Sequence, residues 1–211
     1  LVLYYSVVDW HHPAYPNIGR HHEIVTDPAK HSMSAYMDFL KAQIRELCTN
    51  YGKIHGIWWD MNVPEHVDES VHTMIKQLQP EALINNRGFG RGDFSTPERD
   101  FDPEGANVHG GAGYTMTEAC QSVGVNSWGY RREEDYFSAA YFKEHIDSWL
   151  ANGCNYLLNI GPDANGKIPP QAALILKNIG QWFKPLRESF NGKPAKLLDN
   201  NDLLTVRTEN A

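Results

Sequence analysis

Cysteine is scarce and scattered in this chain of 211 residues: Cys48, Cys120 and Cys154 are the only three, and no C-x-x-C pair occurs. An odd number at long spacings excludes a disulfide framework and a zinc knuckle, and leaves three buried or partly buried thiols as the reading. Long apolar runs are missing too; no stretch approaches the ~20 residues that a membrane-spanning helix needs. Lysine and arginine form no block and the formal net charge is -7, so the chain carries no electrostatic footprint for nucleic acid or for an anionic membrane surface. Internal repeats and low-complexity tracts are absent. No signal-peptide pattern opens the chain. Leu1 instead begins an apolar run, "LVLYYSV", which leads us to expect further sequence upstream and any targeting signal with it.

What is present suits a globular fold. Hydrophobic residues make up 41% of the chain and aromatic residues 11%, enough to bury one sizeable core with room for the edge of a second domain. The acidic balance without a basic patch points to a small neutral or weakly polar ligand. Five short runs rich in Tyr, Trp, Ile, Leu and Val read as strands: "LVLYYSVV", "KIHGIWWDM", "EALINNR", "GVNSWGY" and "CNYLLNIG", each followed by polar or turn residues. Helical spacing links Met37, Leu40, Ile44 and Leu47, with Asp27 or Ser34 as cap and Gly52 as stop. It recurs in Val67, Val71, Met74, Ile75 and Leu78 before Pro80, in Phe142, Ile146, Trp149 and Leu150 before Gly153, and in Ala172, Ile175, Ile179 and Trp182 after Pro169 and Pro170. Alternating strands and helices predict an α/β fold with a parallel sheet. Between Arg87 and Asn126 the spacing predicts neither helix nor strand, and glycine is frequent, so a long functional loop is expected there.

The strands share an asymmetry. Asp60 ends "GIWWD", Asn85, Asn86 and Arg87 follow "ALI", Trp128 and Tyr130 close "NSWGY", and Asn159 closes "YLLN". In parallel α/β sheets and barrels the carboxyl ends of the strands form the ligand-binding face, although strand-end Asp and Asn are also ordinary turn formers. Asp is depleted in strands, and a charged group at the end of a buried run loses solvation unless something compensates it. A carboxylate there, several tryptophans and a second carboxylate on a loop suit sugar chemistry: aromatic faces pack on sugar C–H surfaces and paired acids break glycosidic bonds. The adjacent pairs His11-His12 and His21-His22 invite a metal reading. Neighbours on an extended chain point to opposite sides and no H-E-x-x-H spacing occurs, so we expect rim residues, no metal and no cofactor.

"LYYSVVDW", "GIWWD", "INNR", "NSWGY" and "NYLLNIGPDANGKIP" followed by "IGQWF" together resemble the α-L-fucosidases of glycoside hydrolase family 29, from about Val2 to Phe183. The resemblance implies a (β/α)8-like (TIM) barrel followed by a β-sandwich, and retaining hydrolysis of α-L-fucosyl residues on fucosylated glycans without a metal. On that basis residues 1–188 are expected to be part of the catalytic barrel, with its last five strands. Residues 189–211 are expected to be a linker and the start of the β domain. Three strands and a His-rich strand motif are expected upstream of Leu1. A secreted, periplasmic or lysosomal-type compartment would fit a signal peptide there, and homo-oligomer formation stays open.

Position by position, the resemblance makes Asp60 the nucleophile of a W-x-D pattern, where the plain alternative is a helix cap. Trp58 lines the sugar pocket or simply packs in the core. Tyr4 contacts fucose or is an ordinary strand tyrosine, and Arg87 is a pocket arginine or an ion-pair partner on the rim. Trp128 joins the substrate-binding set from its strand-end position. Glu98 in "FSTPERDF" aligns with the general acid/base of some members. Glu118 in "TMTEACQ" is the alternative, where other members have W-E-x-C and this chain has Thr117 in place of the Trp. Two other classes remain beside a fucosidase: a non-hydrolytic glycan-binding barrel, which would fail to turn over aryl α-L-fucosides, and a metal-dependent hydrolase, which chelation would inactivate.

Overall fold

The computed structural model describes residues 1–16, 31–61, 66–99, 116–191, 193–194 and 206–207. They form two compact units, Leu1–Phe94 and Ser95–Ala211. The architecture is α/β in both.

The first unit runs β1 (Val2–Ser6), α1 (Met33–Asn50), β2 (Gly56–Asp60), α2 (Glu69–Leu78) and β3 (Leu83–Ile84). Its sheet has the order β1-β2-β3 and is parallel throughout. Side chains alternate across a strand. Ile57 and Trp59 of β2 are therefore sealed with Leu40 and Ile44 of α1 and Val71 and Ile75 of α2. Each such burial stabilises by about 1.5–3 kcal/mol. Gly56, Trp58 and Asp60 turn to the other face. Helix α1 begins at Ser32, whose hydroxyl accepts the Ala35 N–H at 3.3 Å. The cap is thus Ser32 rather than Ser34; Asp27 lies outside the described residues. Helix α2 is capped by Asp68, which also pairs with Lys41 at 2.7 Å. Val67 precedes that cap and is exposed, so it does not belong to the apolar face expected of it.

The second unit runs β4 (Glu118–Ser122), α3 (Ala139–Ala151), β5 (Asn155–Asn159) and α4 (Pro170–Leu186), with β4 and β5 parallel. The fourth strand therefore lies at Glu118–Ser122, inside the stretch expected to be loop, and not at "GVNSWGY". The sequence "EACQS" hides a buried strand because its polar side chains are satisfied locally: the Gln121 amide donates to the Tyr141 hydroxyl at 2.9 Å and its oxygen accepts the Ser122 N–H. Beyond it the Ser122 hydroxyl accepts from Gly124 N–H and donates to the Ser127 carbonyl. Such short-range side-chain bonds curl the backbone away from a ladder. A short antiparallel pair, β6 (Lys193–Pro194) with β7 (Val206–Arg207), is what the described residues show of the tail.

Helix α2 also carries a buried base. His72 stacks on the Trp59 indole with planes 17° apart, its Nδ1 is 3.6 Å from Glu69, and its Nε2 has no partner among the described residues. Burial pushes its pKa below the usual histidine value, helped by Lys76 and opposed by Glu69, Asp93 and Asp68. The unfolded chain then binds a proton at His72 more readily than the folded one. The stability from neutral His72 is complete above about pH 6.5 and is lost as pH falls through that value toward the lower folded pKa. Urea unfolding should show a free energy that declines between about pH 7 and pH 5, and His72→Leu should flatten that decline. Parallel pH profiles for the two proteins would exclude His72 as its source.

Candidate functional site

The parallel register of β1 and β2 builds the first cluster. Tyr4 pairs with Trp58 and Ser6 with Asp60, so Tyr4, Trp58 and Asp60 share the face turned away from the helices. The Tyr4 and Trp58 rings lie 6.0 Å apart and nearly parallel, at 18°. The Tyr4 hydroxyl reaches forward along this face and donates to Asp60 Oδ2 at 2.7 Å. From the turn after β3, Arg87 Nη1 donates to Asp60 Oδ1 at 3.2 Å, and its guanidinium carbon lies 4.7 Å from the Trp58 ring centroid. Arg87 is only 2% exposed, while the Asp60 side chain keeps 24% of its surface open. The structure thus brings together Tyr4, Trp58, Asp60 and Arg87: a carboxylate with each oxygen fixed, beside an aromatic face, at the carboxyl end of a strand. A carboxylate has about four acceptor directions; Tyr4 and Arg87 use two among the described residues.

In the second unit residues 95–99 run alongside β4. Bridges join Ser95 to Thr117 and Glu98 to Cys120, and Arg99 N–H donates to the Cys120 carbonyl at 2.9 Å. Glu98 is half-buried. Its neighbour Arg99 places a guanidinium 5.2 Å from the ring centroid of Trp128, which is partly open, and the Trp128 carbonyl accepts from the Asn159 side chain at the end of β5. Trp128 and Asn159 thereby meet at the carboxyl end of β5, and Glu98 stands opposite Cys120 in the middle of β4. Glu118 instead opens β4, four residues or roughly 13 Å before Ser122, and lines an apolar cleft of about 530 Å³ with Leu150, Leu176 and Phe183.

Two features had no sequence signal beyond position. Met61 and Arg99 are the left-handed non-glycine residues of the described chain, with φ of 61° and 63°. Each directly follows a candidate carboxylate. The second is the stacking of Arg99 on Trp128. His12 packs its ring against Phe39 and Tyr36 and accepts the Ala14 N–H, while His21 and His22 lie outside the described residues. Among the described residues no three His, Cys, Asp or Glu side chains converge on a metal-sized site.

Comparison with known proteins gives a consistent result. The family model described as Alpha-L-fucosidase matches residues 1–188. Human tissue alpha-L-fucosidase is 27% identical over 90% of this chain and 40% of its own length. The solved structure of alpha-L-fucosidase isoenzyme 1 from Paenibacillus thiaminolyticus superposes with a TM-score of 0.79 at 31% identity, over 94% of this chain and 52% of that one. A Bacteroides thetaiotaomicron alpha-L-fucosidase, trapped as a covalent intermediate with 2-fluoro-fucosyl fluoride, shares the fold with a TM-score of 0.79 at 22% identity, over 98% of this chain and 52% of that one. The chain spans less than half the length of the curated relatives it matches. With a family match running through both compact units, the chain belongs to the alpha-L-fucosidase family.

Proposed function

We propose that this chain carries the catalytic residues of a retaining α-L-fucosidase that removes α-L-fucosyl residues from fucosylated glycans through a covalent glycosyl-enzyme intermediate. In this reading residues 1–188 supply strands and helices to a (β/α)8-like barrel, and residues 189–211 lead into a β domain. The observation that carries it is Asp60, held by Tyr4 and Arg87 beside the Trp58 face at the end of β2. Asp60 attacks the anomeric carbon while Glu98 protonates the departing glycosidic oxygen. Glu98 then takes a proton from the water that attacks C1 and releases Asp60. Trp58 and Trp128 offer apolar faces to sugar C–H surfaces. The position of Glu118 at the amino end of β4 supports Glu98 as the acid, since ligands on parallel α/β sheets bind at the carboxyl ends. That a relative is trapped as a covalent intermediate supports the nucleophilic role.

Two kinetic experiments test the assignments. Asp60→Gly should lower hydrolysis of an aryl α-L-fucoside by several orders of magnitude. Azide should restore part of the turnover and yield the β-fucosyl azide, because the space left by the carboxylate admits a small nucleophile. Undiminished hydrolysis by that variant would take Asp60 out of the mechanism. For the acid, Glu98→Ala should cut kcat/KM by about 10²–10⁴-fold on fucosides with poor leaving groups. Activated aryl fucosides, which depart without a proton, should lose far less. Should Glu118→Ala show this leaving-group dependence and Glu98→Ala not, Glu118 is the acid.

A further inference from the structure

Strand β3 pairs with β2 at only two positions, Gly56 with Leu83 and Ile57 with Ile84. Past Ile84 the chain turns away, and β2 loses its main-chain partner two residues before Asp60. The backbone groups of Trp59 point to this vacated side. Those of the other flank are served by β1, where Val7 N–H donates to the Asp60 carbonyl at 2.8 Å. Trp59 is fully buried, so its N–H and C=O cannot turn to water and need partners inside the protein. Asn85 meets both. Its Oδ1 accepts the Trp59 N–H at 2.8 Å and its Nδ2 donates to the Trp59 carbonyl at 2.9 Å. The side-chain amide stands in for the missing stretch of strand, and the carbonyl it holds belongs to the peptide unit that joins Trp59 to Asp60.

We infer that Asn85 is a positioning residue for Asp60, an inference that rests on Asp60 being the nucleophile. Asn85 is itself wholly buried and reaches no substrate. It acts by fixing the Trp59–Asp60 peptide, and hence the direction in which the Asp60 side chain leaves the strand. An amide of this length is the one side chain that both donates and accepts here. Aspartate would keep the bond from Trp59 N–H but set a carboxylate oxygen against the Trp59 carbonyl. Serine would leave room for a water between its hydroxyl and the Trp59 backbone. A misplacement of about 1 Å at a reacting group costs on the order of 10²-fold in rate.

The test uses Asn85→Asp and Asn85→Ser in two backgrounds, the unaltered protein and Asp60→Gly supplied with azide. In the unaltered background kcat on an aryl fucoside should fall by about 10²-fold with KM within about threefold. In the azide-supplied background, where no carboxylate needs aiming, the same substitutions should leave the rescued rate within a few-fold. Equal losses in both backgrounds would mean a general disturbance of the pocket and would overturn the inference. So would a folded variant with unchanged kcat, or failure of both variants to give a cooperative melt, which would make Asn85 a residue of folding only. If Asp60→Gly alone keeps its activity, it is the nucleophile assignment that fails.

Discussion

A carboxylate at the end of a buried strand must be compensated, and much of the first unit follows from how this is done for Asp60. The compensating cation, Arg87, is itself buried, and a buried guanidinium is tolerable only when its partner is held in good geometry. That geometry requires the chain to leave β3 after two residues and double back tightly. Gly88 lies so close to the Trp59 indole that a Cβ there would sit 2.4 Å from its ring, and at Gly92, with φ of +69°, a Cβ would sit 2.3 Å from the Asn85 carbonyl. The returning chain is then tied down by Asp93. Its carboxylate accepts the Ile84 N–H at 2.8 Å and pairs with Lys76 of α2 at 2.7 Å. Helix α2, the β3 turn and the end of β2 are one mechanical assembly, and Asp60 stands at its tip.

Strain marks the same places. A left-handed backbone costs a residue with a side chain about 1–3 kcal/mol and persists only where the surroundings impose it. Met61 and Arg99 adopt it directly after Asp60 and Glu98. Asp60 is the last residue of β2, and Glu98 lies in the strip that runs alongside β4, so in each case the strained residue adjoins an extended segment that carries a carboxylate. Arg99, besides this conformation, sets its guanidinium over the Trp128 ring.

Most of this fold was legible because burial was written in periodic form. The helical spacings of α1 to α4 and the apolar runs of β1, β2, β3 and β5 located those elements to within a few residues. Strand β4 was not legible, because Gln121 and Ser122 satisfy their polar groups inside the core, and a pattern of polar letters cannot reveal that. In the same way "NSWGY" has strand composition, yet Asn126 is bonded to Glu134 and Ser122 to Ser127, which makes it a turn. For the site, strand-end position pointed to Asp60 and Arg87, and the family resemblance added Tyr4 and Trp58. What the residue letters could not convey was the β1–β2 register that sets the Tyr4 hydroxyl on Asp60, 56 positions away in sequence. Nor could they convey that Asn85 replaces a strand.

Thr117 shows how a single side chain ties the strip of residues 95–99 to β4. At position 117 the chain has a small hydroxyl side chain, and the Ser95 and Thr117 hydroxyls bond each other at 2.8 Å. That contact begins a parallel lashing. Ser95 N–H donates to the Met116 carbonyl, Glu118 N–H to Ser95, Cys120 N–H to Pro97 and Arg99 N–H to Cys120. A tryptophan at 117 could not make the hydroxyl contact, and the strip would lose its first side-chain tie. Four main-chain bonds carry residues 95–99 along β4 in its own direction. Glu98 thereby stands opposite Cys120, two positions further along β4 than Glu118, which stays at the strand's beginning. The register of this strip, more than the identity of either glutamate, favours Glu98 as the proposed acid.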